Sequence, residues 1–269
     1  MNRRNSVAFT APTQDRPNVD PHVVSAGTTL CAVNRLLLCE LHAHTTWSDG
    51  YLTLPALVDL YGKNGFDVLC VTDHTVRLDD PMSNAVDSWT WPAYLAAVRA
   101  EAARALADYG MVVIPGLELS DNHDDPEMSA HALAIGIEQH VSVDAGIVDA
   151  LEAANDLHAA VVAAHPYAPG DLTSMRPTRR IAHELETFRP LVHRYELFNR
   201  DELFSWVAEA QLPPVASGDV HRAAHLASWK TLLPCEKDPQ SVVDYLRSRG
   251  RVCLMPFARE QRPALPLAA

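Results

Sequence analysis

Cysteine is scarce in this sequence, and no two cysteines form a Cys-x-x-Cys pair. The five cysteines are scattered at positions 31, 39, 70, 235 and 253. This distribution disfavours a disulfide scaffold and is typical of a protein kept in a reducing compartment. We therefore expect a cytoplasmic protein.

Long apolar runs are also lacking. No run reaches the length of a transmembrane helix, and residues 1–35 lack the apolar core of a signal peptide. This first segment is polar and contains Pro12, Pro17 and Pro21. We predict a poorly ordered N-terminal arm over residues 1–35, followed by a domain over residues 36–269.

Basic residues are few for the length of the chain. Lys and Arg number 22 against 34 Asp and Glu, which gives a formal net charge of -12. This balance disfavours a membrane-surface protein and sequence-independent binding to nucleic acid, because both need a basic surface. A small phosphorylated substrate is compatible with the net negative charge, because bound metal ions can make the charge positive locally.

Strands alternate with helices along the chain, and this pattern predicts an α/β fold with βαβ units and a parallel sheet. Apolar runs predict strands at residues 36–41, 67–72, 111–115, 131–137, 160–164, 195–198, 214–217 and 251–255. Helical spacing and capping residues predict helices at residues 53–63, 90–109, 144–157, 178–188, 201–211 and 238–249. About seven strands in one chain favour a closed barrel over an open sheet.

Metal-ligating residue types follow most of the predicted strands. His42 and His44 stand two residues apart after the first strand, so both imidazoles can point the same way. One His-x-His pair is more often two unrelated histidines than a metal site. The pattern recurs, however, at His74, Glu118, His165, Asp219 and His221.

His131 departs from this pattern, because it begins its strand. We therefore predict that the strands carrying Glu118 and His131 pair antiparallel. With Asp49, the candidate ligands number nine, which is too many for one ion and implies two or three. A set without cysteine favours hydrolytic zinc, manganese, iron or magnesium over a structural zinc site.

The candidate ligands lie in a series of short motifs: His42-Ala-His44, Ser48-Asp49-Gly50, Thr72-Asp73-His74, Gly116-Leu117-Glu118, His131-Ala-Leu-Ala-Ile-Gly136, His165-Pro166, Glu196-Leu-Phe-Asn199 and Ser217-Gly218-Asp219-Val220-His221. Taken together, these motifs resemble the PHP (polymerase and histidinol phosphatase) domain family, in the order of that family and over about residues 36–257. The resemblance implies a distorted (β/α)7 TIM-like barrel with a trinuclear site for phosphoester hydrolysis. It also implies how nine ligands share three ions: His42, His44, Glu118 and Asp219 hold one; Glu118, His131 and His165 hold the second; Asp49, His74 and His221 hold the third and carry catalysis.

The resemblance has one departure. Tyr167-Ala168 follows His165-Pro166, where some nucleotide-acting members carry an arginine nearby. Arg200 and Arg222 are therefore our candidates for binding the substrate phosphate, with Lys230 as a third. Each arginine is equally compatible with a structural ion pair.

Two further residues are expected to orient ligands rather than to bind metal. Asp73 precedes His74 and is predicted to accept a hydrogen bond from it, and Asn199 ends a predicted strand beside the cluster.

We expect a phosphatase that acts on a small phosphate monoester by attack of a metal-bound hydroxide, without a covalent phospho-enzyme. A phosphodiesterase or exonuclease is the enzymatic alternative. A metal-stabilised binding or scaffold domain is the alternative without catalysis, and the complete ligand set disfavours it. The sequence does not predict the oligomeric state.

Overall fold

The computed structural model describes residues 36–82, 84–168 and 178–258, and these form an α/β fold. The strands are β1 (Leu37–Glu40), β2 (Val68–Val71), β3 (His74–Val76), β4 (Val112–Asp121), β5 (Ala130–Ile135), β6 (Ala160–Ala163), β7 (Arg194–Asn199), β8 (Glu202–Leu203), β9 (Pro214–Ser217), β10 (Trp229–Leu233) and β11 (Cys253–Pro256). The helices are α1 (Leu54–Lys63), α2 (Trp91–Tyr109), α3 (Ile147–Asp156), α4 (Arg180–His183), α5 (Leu185–Phe188), α6 (Ser205–Glu209) and α7 (Pro239–Arg247). A short 3₁₀ helix spans Ala223–Leu226.

The strands form one curled, mixed sheet, and the prediction of a parallel sheet is correct only in part. The order is β11-β10-β1-β2-β4-β5-β6-β7-β8, with β3 paired to β4 and β9 paired to β7. The parallel pairs are β1–β2, β2–β4, β3–β4, β6–β7 and β7–β9, whereas β5, β10, β11 and β8 pair antiparallel with their neighbours. Antiparallel neighbours need no crossover helix, and the short loop between β4 and β5 contains none.

The predicted antiparallel pairing of the strands that carry Glu118 and His131 is confirmed. In the β4–β5 register, Ser120 lies opposite His131 and Glu118 lies opposite Leu133. The beginning of β5 therefore lies beside the end of β4, and this brings His131 to the edge where the parallel strands end.

Several predicted elements differ from the observed ones. Residues 178–188 form two single-turn helices, α4 and α5, and residues 201–211 begin with β8 before α6. The sequence patterns did not predict β3 or β10. Both are short strands whose pairing partners lie far away in the chain, so local periodicity carries little information about them.

Apolar side chains fill both faces of the sheet. In β2, Val68 and Cys70 pack in one cluster, and Leu69 and Val71 pack in the other. The first cluster also contains apolar residues of α7, and the second contains the buried faces of α1, α2 and α3. Covered faces on both sides explain why the strands read as continuous apolar runs.

In the part of the chain described by the structure, no helix is both long and apolar enough to cross a membrane. Residues 1–35 lie outside the described residues, so the predicted arm and its boundary with the domain stay a prediction.

Candidate metal centre

The nine predicted ligands converge on one cleft of about 980 Å³ at the edge of the sheet where the parallel strands end. His42 and His44 follow β1 and are fully buried. The other seven line the cleft, from the turn after His44, from β3, β4 and β5, and from the chain after β6 and β9: Asp49, His74, Glu118, His131, His165, Asp219 and His221.

Glu118 lies at the centre of the cluster. Its Oε2 is 3.1 Å from Nε2 of His42 and 3.2 Å from Nε2 of His44. Its Oε1 is 2.9 Å from Nδ1 of His131 and 3.1 Å from Nε2 of His165. Nδ1 of His74 is also 3.1 Å from Oε2. The two oxygens of one buried carboxylate thus face two different sets of imidazoles, three at Oε2 and two at Oε1, an arrangement that suits a ligand shared by two cations.

A second set of donors surrounds Asp49. Its Oδ2 is 3.1 Å from Nε2 of His221, and its Oδ1 is 3.5 Å from Nε2 of His74 and 3.9 Å from Nδ1 of His44. These four residues could hold one cation, because their donor atoms lie within 4.8 Å of one another.

Two further groups meet the same distance criterion, and both contain Glu118. One consists of His42, His44 and Glu118, and the other of His74, Glu118 and His131. The three groups share members, so the cluster offers more nitrogen and oxygen donors than one coordination sphere takes.

Divalent cations fit the chemistry of this site. Both ring nitrogens of His44 are buried and have no hydrogen-bond partner among the residues that the structure describes. A buried polar atom without a partner is costly, and a cation bound by the imidazole would remove that cost. The donor set of imidazoles and carboxylates without cysteine is typical of hydrolytic metal sites.

The carboxylates of the cluster are held in their charged form. Burial by itself raises the pKa of Glu118, but His74, His42 and His131 outweigh burial and hold the pKa well below its usual range. Asp219 behaves in the same way: burial raises its pKa, and His42 is the strongest of the neighbours that lower it well below normal. Buried charged carboxylates make the cleft attractive to cations.

The imidazole of His221 shows the complementary effect. Burial lowers its pKa, but hydrogen bonds to Asp219 and Asp49 raise it to about 10. The pKa of Asp49 is correspondingly lowered to about 2: burial raises it, and the hydrogen bond from His221 is the largest opposing effect.

Glu196 begins one of the sequence motifs but was given no role from the sequence. Its Oε1 is 2.9 Å from Nδ1 of His42 and accepts a hydrogen bond from Ser217 Oγ. Its Oε2 accepts from the backbone N–H of His165 at 2.6 Å and from Nδ2 of Asn199 at 2.8 Å. Glu196 therefore positions two candidate ligands, and Asn199 acts on Glu196. The available signal was a glutamate inside the apolar strand β7.

Asp73 differs from its predicted role. Its Oδ1 accepts from the N–H of Thr45 and from Oγ of Ser48, both at 2.7 Å, and its Oδ2 accepts from Oγ1 of Thr45 at 2.9 Å. His74 instead places Nδ1 2.7 Å from Oγ of Ser120. Asp73 thus fixes the turn that leads to Asp49.

The three candidate phosphate ligands have different surroundings. Arg200 lines the cleft but donates from Nη2 to Oδ2 of Asp219 at 3.0 Å. Arg222 lines the cleft with its guanidinium 5.3 Å from the centre of the Tyr51 ring. Lys230 is fully buried, with Nζ 2.6 Å from Oε2 of Glu40, so its prediction as a phosphate ligand is wrong.

No protein-family model and no curated protein matches this chain. Among solved structures, it is similar to a two-domain protein from Bacteroides vulgatus that contains a predicted PHP-like metal-dependent phosphoesterase. The identity is 19%, the TM-score is 0.59, and the match covers 82% of this chain and 64% of that one. It is also similar to PsfC from Pseudomonas syringae, at 13% identity and a TM-score of 0.51, over 83% of this chain and 93% of the other.

The chain has a PHP-like fold. The resemblance inferred from the sequence motifs is thereby confirmed at the level of the fold. This PHP-like chain spans about two thirds of the length of the Bacteroides vulgatus protein. At sequence identities this low, the similarity establishes the fold and nothing further. The chain's activity and substrate must therefore be inferred from its own cleft.

Proposed function

We propose that this chain is a metal-dependent phosphoric ester hydrolase that releases phosphate from a small phosphate monoester. One observation carries the proposal: the buried carboxylate of Glu118 faces several imidazoles at the base of a cleft, and an arginine stands at the cleft wall. Cation ligands next to a guanidinium that has no carboxylate partner in the described part of the chain match the two needs of phosphoester hydrolysis, an activated water and a bound phosphoryl group.

Two or three divalent ions would be held by the nine cleft residues, and manganese, zinc, iron and magnesium all suit these ligands. Bound there, such ions supply a water of lowered pKa and neutralise charge on the phosphoryl oxygens. His42, His44, Glu118 and Asp219 would hold one ion, Glu118 with His131 and His165 a second, and Asp49 with His74 and His221 a third.

Two groups of side chains are proposed to act on the substrate. Asp49, His74 and His221 line the cleft with donor atoms within 4.8 Å of one another, and Asp49 is exposed, so a phosphoryl group in the cleft could reach this group. Arg222 would bind the phosphate, because it has no carboxylate partner among the described residues. Arg200 is proposed to hold Asp219 in place, since its guanidinium also donates to the backbone oxygen of Asp219.

The rim of the cleft favours a small ester over a polyanion. Asp80, Asp201 and Glu202 line it, and their negative charges would repel the successive phosphates of an oligonucleotide. The volume of about 980 Å³ is at the upper end of pockets that hold small molecules.

We further propose that the sheet closes into a distorted seven-stranded βα barrel. A bridge between Ala43 and Val220 supports closure, because it joins the chain after β1 to the chain after β9. A cytoplasmic location remains part of the proposal on the basis of the scattered cysteines.

The test combines metal analysis with a substrate panel. Protein purified without chelator is assayed for bound metals, and phosphate release is then measured on small monoesters, on diesters and on short oligonucleotides. We expect two or three ions per chain and turnover of monoesters that Glu118→Ala abolishes. Faster turnover of diesters would support the phosphodiesterase alternative. Bound metal with no turnover of any ester would support the scaffold alternative.

A further inference from the structure

A second cavity, of about 370 Å³, lies at the other end of the sheet. Arg194 and Pro214, the first residues of β7 and β9, both line it. These strands run from this cavity to the cleft, where Asn199 ends β7. Five residue steps of about 3.3 Å separate the two ends of β7, roughly 16 Å, so an ion in the second cavity is remote from the cleft.

The second cavity has an unbalanced positive charge. Arg194, Arg249 and Arg251 line it, and no aspartate or glutamate is among the described residues of its wall. This is unexpected in a chain whose acidic residues outnumber its basic ones by 34 to 22.

The pairing of arginines across the described chain shows how unusual this end is. Seven described arginines lie within 4.0 Å of a carboxylate oxygen: Arg77, Arg99, Arg104, Arg179, Arg180, Arg189 and Arg200. Five others have no carboxylate partner within the described ranges. One of these is Arg222 in the cleft. Three others, Arg194, Arg249 and Arg251, line the second cavity, and the last, Arg247, lies two residues before Arg249 in the sequence.

Arg194 is the buried member of this group. Only 1% of the residue is exposed, and its Nε and Nη2 donate to the carbonyl oxygens of Leu246 and Tyr245 at 3.0 and 3.1 Å. Its third nitrogen, Nη1, has no partner among the described residues. The guanidinium also lies over the Tyr245 ring, with Cζ 5.9 Å from the ring centre. A buried guanidinium that meets two carbonyls and a ring, and no carboxylate among the described residues, is costly.

The positive charge of these arginines also affects the neighbouring His193. Burial lowers the pKa of His193 to about 4, and Arg247, Arg249 and Arg194 are the next largest causes in that direction. Arg249 donates from Nη2 to the carbonyls of Arg189 and Val192, both at 2.9 Å, and is otherwise exposed. Arg251 is exposed and makes no side-chain hydrogen bond among the described residues.

We infer that the second cavity is a binding site for a small oxyanion of the phosphate class. Arginine forks match the geometry of phosphate oxygens, and an anion here would balance charge that the described residues leave unpaired. Free phosphate and the phosphate group of a small metabolite share this chemistry. The inference does not depend on the proposed hydrolase activity.

The probe is inorganic phosphate, titrated by calorimetry into the full-length, metal-stripped protein at constant ionic strength in chloride. Arg222→Gln is the background, so that binding in the cleft is weakened. We expect one saturable phosphate per chain. Adding Arg249→Gln and Arg251→Gln to this background should weaken the affinity for phosphate about tenfold or more, because two charge-assisted contacts are lost. Arg99→Gln, an exposed arginine paired with Glu138, is the matched control and should bind as before.

Arg251→Glu alone is a second variant with little risk to folding, since this side chain has no hydrogen bond to lose; unchanged circular dichroism would confirm an intact fold. A small phosphomonoester is titrated in parallel to separate the two sources of the phosphate group. Equal phosphate affinity in the arginine variants and their parent would overturn the inference, as would binding no tighter than that of chloride. Binding of a long polyanion without binding of phosphate would also overturn it.

Discussion

The side-chain oxygen of Asn122 lies 2.9 Å from Nε2 of His131. The amide of Asn122 is itself oriented, because its Nδ2 donates to Oδ2 of Asp80 at 3.0 Å. A carboxylate can only accept, so the Asn122 oxygen must face the imidazole and Nε2 of His131 must carry the proton. Nδ1 is the ring nitrogen that faces Glu118, 2.9 Å from Oε1, and it is the atom that would bind a cation held by both residues.

Removing this support should weaken metal binding. We expect Asn122→Ala to lower metal affinity about 10–100-fold, the usual effect of losing a group that orients a metal ligand. Asn64→Ala, which removes only a bond to the Leu60 carbonyl, is the control. The measurement is competition with a chelator of known affinity. Unchanged affinity in Asn122→Ala would mean that the histidine is held by other contacts.

Metal should also stabilise the fold. A ligand that binds only the native state at 100 times its Kd adds about 2.7 kcal/mol, which corresponds to several degrees in Tm for a chain of this size. We expect a divalent cation added to chelator-treated protein to raise Tm by that amount in the wild type. Glu118→Ala should lose most of the shift. An equal rise in both proteins, seen by calorimetry, would place the bound metal elsewhere.

The buried pair of Lys230 and Glu40 should be critical for stability. Glu40 also accepts hydrogen bonds from the backbone N–H groups of His42 and Gly218, at 3.2 and 2.7 Å. Lys230→Met would leave this carboxylate buried and unpaired, which should cost about 3–5 kcal/mol in the free energy of unfolding.

Urea unfolding measures this cost. Lys63→Met is the matched control, because the ammonium of Lys63 pairs with Asp59 and both side chains are solvent-accessible, 65% and 35% exposed. It should lose less than about 1 kcal/mol. A double variant, Glu40→Gln with Lys230→Met, should recover part of the loss. Equal effects of the two lysine substitutions would contradict the prediction.

Substitution of the two cleft arginines should have different effects, one on kcat/KM and the other on metal binding. Arg222→Gln should lower kcat/KM about 10–100-fold with metal content intact, because one charge-assisted contact to phosphate is worth about 1.5–3 kcal/mol. Arg200→Gln should instead weaken metal binding, since it frees Asp219. Steady-state kinetics and metal analysis on both variants decide this. Full activity and full metal content in both, and in the double variant, would refute both roles.

Water rather than a side chain should attack the phosphorus. Within the described lining of the cleft there is no serine, cysteine or lysine to act as a covalent nucleophile. In a single turnover in ¹⁸O-labelled water with enzyme in excess, we expect the label in the first phosphate released. Phosphate trapped on a protein side chain after an acid quench would contradict direct attack.

The sequence alone predicted the edge of the sheet where the candidate ligands meet. The carboxyl ends of parallel strands lie at one edge, so histidines and carboxylates that follow apolar runs must come together there. The same reasoning, applied to a histidine that begins its strand, correctly predicted the antiparallel pairing that brings His131 beside the others. Periodicity and capping residues also placed the longer helices, such as α2, within about two residues of their observed ends.

Only the tertiary structure decided what each polar side chain contacts. Local patterns carry no record of partners as distant in the chain as Glu40 and Gly218, which are 178 residues apart. For that reason Lys230, the third candidate for binding phosphate, is found in the core, and Glu196 was not assigned a role although it positions His42. The unpaired arginines of the second cavity likewise emerge only when β7 and the end of α7 are packed together, because charge balance is a property of neighbours in space.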